Sequence, residues 1–211
     1  MTIVISTWIA ALTVLIAAAG LSFTIYKWWK NQRQICLLIS VHIASILERI
    51  ARQCLEVSYD EGVFDGGDNP SELHPRNVTT CLAPMPRFDD MKNIEYIKPK
   101  YLNKLFVLAP IEDSIQEYLS DAWEHDYEFN HFFSHRQIFY AGFGEYVSRL
   151  ALDIRNDVKA PSIGKLATDN EKDLKKRLRD LIGKSNNGEN GIKNTYECVF
   201  LPTPESYWPE G

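Results

Sequence analysis

The sequence predicts an all-α protein in which one N-terminal transmembrane helix continues into a cytoplasmic antiparallel helical bundle. Three observations support this fold class. The first 26 of the 211 residues contain no charged side chain, the segments that follow repeat apolar residues at helical spacing, and Pro and Gly concentrate between those segments. The chain then divides into a transmembrane anchor (1–30), a helical domain (31–184) and a C-terminal tail (185–211), which is either flexible or docked.

The anchor is predicted from residues 3–26. A helix of that length extends about 36 Å, enough to cross a hydrocarbon core of about 30 Å with some tilt. A cleavable signal peptide is the competing interpretation, because three consecutive alanines at 17–19 imitate a cleavage site. No basic segment precedes Ile3, and the apolar run is longer than that of an ordinary signal peptide. Both features favour an uncleaved anchor.

Charged and aromatic residues at the end of the apolar run predict its orientation. Three basic side chains follow the run, whereas no Lys or Arg precedes it. Positive residues that flank a span stay on the cytoplasmic side, which predicts a single-pass protein with a cytoplasmic C-terminal domain. Trp and Tyr favour the two interfaces of a bilayer. The predicted membrane-interface residues are therefore Trp8, Tyr26, Lys27, Trp28, Trp29, Lys30 and Arg33.

Charge is distributed unevenly along the chain, which has a net charge of −5 at pH 7. Residues 1–56 carry five Lys or Arg and two Glu, so the remainder carries a net charge of −8. Because duplex binding requires a basic face, nucleic acid is not a predicted partner. The predicted partners are the lipid bilayer and a protein, either a different chain or a second copy. The four cysteines lack the spacing of a disulfide framework or a metal site, as expected for reduced thiols in a cytoplasmic domain.

Four helical segments and one irregular segment are predicted within the domain. Apolar residues recur on one face over 34–55, with no Gly or Pro between this segment and the span, so the two are expected to form one rod. Residues 56–99 contain five Pro and three Gly and are predicted to be an irregular loop. Helical periodicity returns over 101–128, 132–158 and 169–183. Each helix needs a partner to bury its apolar stripe, which is the reason for expecting a bundle.

Local signals mark several helix ends and loops. Pro110 suits a first helical turn. The pattern Thr168-x-x-Glu171 resembles a capping box that starts the last helix, and Gly183 is a candidate stop. The acidic stretch 60–69 lacks the alternate spacing and the terminal Glu of an EF-hand loop. Large apolar residues in the tail, such as Phe200, leave open whether it docks on the domain or on a partner.

One cluster of polar residues has metal-ligand spacing. Glu128-x-x-His131 matches di-iron carboxylate bundles, and His131-x-x-x-His135 can chelate across one turn. If a single helix runs through this region, the predicted ligands are Glu128, His131 and His135, with a second Glu from Glu48 or Glu145. The alternative is a turn between two helices, which Asn130 and Ser134-x-x-Gln137 favour as capping residues. No second Glu-x-x-His and no His-Glu-x-x-His occurs, so no cofactor is predicted.

The chain lacks the motifs of common catalytic sites, including Gly-x-Ser-x-Gly, a Cys-His signature and a Gly-rich phosphate loop. The sequence therefore predicts a membrane-anchored helical protein that serves as an interaction or regulatory module on the cytoplasmic face. One alternative is a membrane-acting toxin or defence effector. A second alternative is a metal-dependent helical-bundle enzyme that uses the cluster around His131.

Overall fold

The computed structural model describes residues 2–64, 76–125, 130–160 and 164–185, with side chains over 12–62, 77–124, 132–160 and 169–183. The protein is mostly helical, which confirms the predicted class. Its helices are α1 (Thr2–Ser58), α2 (Pro99–Phe106), α3 (Leu108–His125), α4 (Asn130–Asp157) and α5 (Gly164–Ser185). Between α1 and α2, a two-residue strand β1 (Val63–Phe64) pairs antiparallel with β2 (Arg76–Asn77), placing Val63 opposite Asn77. Two short 3-10 turns follow, at Phe88–Asp90 and Ile94–Tyr96.

Helix α1 is one unbroken helix of 57 residues, about 85 Å long. In the described part of the chain it is the one helix long and apolar enough to cross a membrane. Most of its large apolar side chains from Leu12 to Leu38 are exposed, whereas the helix enters the core from Ser40 onward. The buried side of this second half consists of Ile43, Ala44, Leu47, Ile50, Ala51, Cys54 and Val57. The same helix therefore supplies an unpartnered apolar segment and one wall of the core.

The core lies where α1, α4 and α5 meet. Glu48 of α1 is bonded to Arg155, and Cys54 lies against Gly144. As residue numbers increase along α1, the numbers of the α4 residues that it contacts decrease. Leu174 of α5 also lies against Gly144. The end of the domain around Ser58 is about 15 Å farther from the exposed apolar segment than Glu48 is; we call it the distal end.

At Gly144 of α4 the neighbouring helices α1 and α5 leave no room for a larger side chain. A Cβ atom at this position would lie 2.6 Å from Cβ of Cys54 and 2.9 Å from Cδ2 of Leu174. We expect Gly144→Ala to lower the free energy of unfolding by about 1–2 kcal/mol, because the steric conflict outweighs the better helix propensity of Ala. Gly183→Ala is the matched control, since a Cβ atom there meets nothing within 4 Å. Denaturant unfolding of both variants measures the difference, and equal effects would contradict it.

The structure differs from the predicted helix boundaries at three places. The segment predicted as one helix over 101–128 is split at Val107, because Pro110 cannot donate a backbone hydrogen bond to the preceding turn. Pro110 does lie in the first turn of α3, as predicted. Helix α5 begins at Gly164, so Thr168 lies inside the helix and is not its N-cap. Gly183 is also inside α5, which continues to Ser185.

The C-terminus of α4 uses an unexpected residue to stop the helix. Lys159 has a positive φ of 51°, in the left-handed region where Gly is usual. The N–H of Ala160 donates to the carbonyl of Arg155, and the N–H of Lys159 donates to that of Asn156. These two bonds form a Schellman motif that ends the helix four residues before Pro161.

Candidate functional site

Asp60 lies at the distal end, just after the last turn of α1. The backbone N–H groups of Gly62, Thr79 and Thr80 donate to its carboxylate at 3.0, 3.0 and 2.9 Å. The hydroxyl of Thr79 also donates to it, and Nη1 of Arg136 forms an ion pair with it at 3.0 Å. The Asp60 side chain is 2% exposed and that of Arg136 is 6% exposed. The carboxylate therefore joins the end of α1, the segment after β2 and helix α4.

The environment of Asp60 keeps its carboxylate charged. Burial by itself raises the pKa of this carboxyl, but the hydrogen bonds from Thr79, Thr80 and Gly62 outweigh burial and lower the pKa from 3.8 to about 2. Nη2 of Arg136 also donates to the carbonyl of Thr80. The segment around Thr80 is thus bound to both members of the buried ion pair.

Side chains from α4 and α5 complete the distal end by donating to backbone carbonyl groups at the end of α1 and just beyond it. Nε and Nη2 of Arg177 donate to the carbonyl of Ser58 at 3.0 and 2.8 Å. Nε2 of Gln137 donates to the carbonyl of Asp60 at 3.0 Å. The Arg177 guanidinium also lies over the ring of Tyr59, 4.4 Å from its centroid. A cation at a helix C-terminus is favourable for the free carbonyls and for the helix dipole.

A pocket of about 340 Å³ opens beside the Asp60–Arg136 pair. This volume is within the range of small-ligand and side-chain pockets. We call it the distal pocket, and its lining comes from the segment after β2 and from helices α3 and α4. The lining residues are Val78, Cys81, Leu82, Gln116, Leu119, Ser120, Trp123, Phe132, Arg136 and Tyr140.

Aromatic rings form much of the distal pocket. Trp123 meets Phe132 edge to face with ring centroids 4.8 Å apart. Burial, together with nearby Glu112, raises the pKa of the Tyr140 hydroxyl, which therefore remains protonated at neutral pH. Nε2 of Gln116 donates to this hydroxyl and to Glu112. The pocket therefore combines aromatic and aliphatic walls with polar groups at defined positions.

Two of the predicted metal ligands, His131 and His135, lie on the same helix, α4. Helix α3 ends at His125 and α4 begins at Asn130. Trp123, near the end of α3, contacts Phe132, near the start of α4, with ring centroids 4.8 Å apart. Glu128 lies outside the described residues, as does the side chain of His131. The metal site over Glu128, His131 and His135 therefore stays a prediction.

His135 is half-buried against α3. Its Nδ1 atom and the Tyr118 hydroxyl share a hydrogen bond of 2.8 Å. Glu145 is ten residues farther along α4, about 15 Å away along the axis, and pairs with Arg149. Glu48 pairs with Arg155, so both candidates for the second Glu ligand are engaged in ion pairs. Among the side chains that the structure describes, no group of three or more His, Cys, Asp or Glu is arranged to hold a metal ion.

No protein-family model, curated protein or solved structure matches this chain. Its function must be inferred from its own residues.

The predicted membrane-interface residues lie on the part of α1 that precedes the core. Tyr26, Trp28 and Trp29 are each about 60% exposed, and Lys27, Lys30 and Arg33 are exposed as well. The side chain of Trp8 lies outside the described residues. Tyr26, Trp29, Lys30 and Arg33 share one side of the helix, where they line a shallow groove with Gln34, Leu37 and Leu38. Aromatic and cationic side chains are thus adjacent, as an interface between lipid and water favours.

Sequence reasoning missed the distal pocket and the ion pair beside it. In the sequence, Asp60 stands out only as the first residue of an acidic stretch, and no motif singles out Arg136. The signal in the sequence was weak, since Arg136 stands in the polar run Ser134-His135-Arg136-Gln137, which apolar residues flank on both sides. That signal does not identify the partner, which is 76 residues away in the chain.

Proposed function

We propose that this chain is a single-pass membrane protein whose cytoplasmic antiparallel bundle is an interaction or regulatory module that binds a protein at the distal pocket. The observation that carries the proposal is the continuity of α1. One helix extends from an exposed apolar segment into the core and ends at Ser58, two residues before Asp60, which lies beside the pocket. This geometry favours a pocket held away from the bilayer and open to the cytoplasm.

The orientation rests on charge and exposure together. The basic side chains of Lys27, Lys30 and Arg33 follow the apolar segment, and all are accessible on α1. On the cytoplasmic side they satisfy the positive-inside tendency and attract the anionic inner leaflet. From Arg33 to Ser58 the helix rises about 37 Å, which places the distal end well beyond the headgroups.

The module is also built so that the membrane helix and the pocket are mechanically connected. Thr79 and Thr80 adjoin the pocket-lining residues Val78 and Cys81, and both bind the Asp60 carboxylate. Arg136 both pairs with Asp60 and lines the pocket. A displacement of the end of α1 would therefore move two sides of the pocket, which is the arrangement that a regulatory role requires.

The topology is tested by thiol labelling, because Cys81 is exposed near the distal end. In intact cells we expect a membrane-impermeant maleimide to leave Cys81 unmodified, and permeabilisation should then allow its modification. Cys81→Ser provides the background, and Thr2→Cys provides a site that should be labelled from outside in intact cells. Labelling of Cys81 before permeabilisation would contradict the cytoplasmic orientation.

The interaction role is tested by purifying the full chain in a mild detergent. We expect a stoichiometric protein partner, or a homo-oligomer, to co-purify, and Ser120→Arg at the pocket to release it. Glu56→Gln, on an exposed part of α1, is the control and should retain the partner. A monomer without any partner would contradict the proposal. Collapse of the membrane potential on induced expression would indicate a membrane-acting effector instead.

A further inference from the structure

Helix α3 has a strongly acidic outer face next to the distal pocket. The helix contains Glu112, Asp113, Glu117, Asp121 and Glu124 but no Lys or Arg. Asp113, Glu117 and Glu124 are exposed, and their spacing places all three within about 40° around the helix axis. We call these three residues the acidic stripe.

The acidic stripe borders the pocket and does not merely share its helix. Gln116, Ser120 and Trp123 of α3 line the pocket and follow one another at helical spacing. At 100° per residue, the stripe lies about 70° around the helix from these three residues, on the solvent side. A peptide segment bound in the pocket would therefore pass close to the acidic stripe where it leaves the pocket.

The interior of the pocket has a different character from its border. The guanidinium of Arg136 is already paired with the Asp60 carboxylate, so the buried charges in its wall compensate each other. Much of the remaining lining is aromatic or aliphatic, including Leu119, Trp123 and Phe132. Such a cavity favours an apolar side chain over a charged one.

We infer that the occupant of the distal pocket is a cationic protein segment, in which Lys or Arg residues flank a large apolar or aromatic side chain. The apolar side chain fills the pocket and the basic residues face the acidic stripe. This inference rests on the proposed interaction role and names the chemistry of the partner. The stripe also disfavours two large anionic partners, because both a bilayer with anionic lipids and a nucleic acid would be repelled by it.

The test uses the full chain in nanodiscs of zwitterionic lipid and three fluorescent peptides of equal length. The first is an amphipathic sequence of Lys and Leu with one Trp; the second replaces Lys by Glu; the third keeps Lys but replaces Leu and Trp by Ser. Fluorescence anisotropy measures binding, and empty nanodiscs correct for binding to lipid. We expect only the first peptide to bind, with an affinity that falls as salt is raised from 50 to 300 mM.

Variants separate the two parts of the site. Asp113→Asn, Glu117→Gln and Glu124→Gln combined should weaken the first peptide about tenfold, as expected for three exposed charges at an interface rim. Ser120→Arg, at an exposed position, should weaken it further by blocking the pocket and adding a positive charge. The control combines Asp169→Asn, Asp173→Asn and Asp180→Asn on α5, which removes the same charge elsewhere and should leave binding unchanged.

Three results would overturn the inference. These are equal binding of the third peptide, no effect of the stripe variant, or an equal loss in the α5 control. Self-association of the chain that Ser120→Arg abolishes would assign the pocket to a second copy instead. A co-purifying partner that lacks a cationic apolar segment would leave the interaction role standing and refute this inference alone.

Discussion

Replacing Asp60 by Asn should lower the free energy of unfolding of the helical domain by about 3–5 kcal/mol. The substitution removes the negative charge that compensates the guanidinium of Arg136, which is 6% exposed and has little access to water. It also replaces a carboxylate that accepts from Gly62, Thr79 and Thr80 with an amide that has one acceptor oxygen. An uncompensated buried cation and unpaired donors both destabilise the folded state.

Denaturant unfolding of the full chain in a nonionic detergent, followed by near-UV circular dichroism, measures this loss. Glu56→Gln is the control, because Glu56 forms an ion pair with Arg52 at 3.4 Å in which both side chains are more than half exposed. Exposed pairs contribute about 0–1 kcal/mol, so the control should change little. If both variants lost the same small amount, Asp60 would not have the role assigned to it.

The same carboxylate predicts a dependence of stability on pH. The pKa of Asp60 is about 2 in the folded protein and 3.8 as the reference value. A carboxyl with a lowered pKa contributes stability that is fully present above the unfolded pKa and disappears as the pH falls through the folded one. We therefore expect the wild-type domain to lose stability from about pH 4 to pH 2. In Asp60→Asn this part of the loss should be absent, which the difference between the two unfolding curves tests.

Arg155→Met should have an effect of similar size at the other end of the domain, about 3–5 kcal/mol. The Arg155 side chain is 2% exposed. Its Nε and Nη2 atoms donate to the two carboxylate oxygens of Glu48, the latter at 2.8 Å, and Nη2 donates to Oγ of Ser45 at 3.1 Å. This bidentate pair joins α4 to α1 where α1 enters the core. Removal of Arg155 leaves Glu48 as a largely buried carboxylate without its counter-ion.

A double-mutant cycle isolates the interaction. Because two buried charges cost free energy to desolvate, an apolar pair of similar size is often as stable as the ion pair. Glu48→Leu combined with Arg155→Met should therefore recover much of what Arg155→Met loses by itself. Arg52→Met on the exposed side of α1 serves as the control and should cost less than about 1 kcal/mol. Additive losses at Glu48 and Arg155 would show that the two side chains do not depend on each other.

The helical class and the long rod could be predicted because their causes are local in the chain. The apolar repeat over 34–55 has the period of a helix, and no Pro or Gly interrupts it, so α1 continues from the span to Ser58. Asn130, which the sequence offered as a capping residue, is the first residue of α4. The predicted start of the last helix at Thr168 was wrong. A capping-box pattern is short, and the helix that contains this one begins four residues earlier, at Gly164.

By itself, the sequence determined that this protein is mostly helical and that its N-terminal helix is apolar enough to cross a membrane. These properties follow from composition and periodicity, because burial in lipid or in a core depends on which residues share a helix face. Only the tertiary structure decided that Asp60 pairs with Arg136, 76 residues away, and that Glu48 pairs with Arg155, 107 residues away. It also decided that an aromatic pocket lies beside the first pair. The physical reason is that a buried charge needs a partner of opposite charge nearby in the folded protein. The spacing of residues along the chain does not indicate which helix supplies that partner.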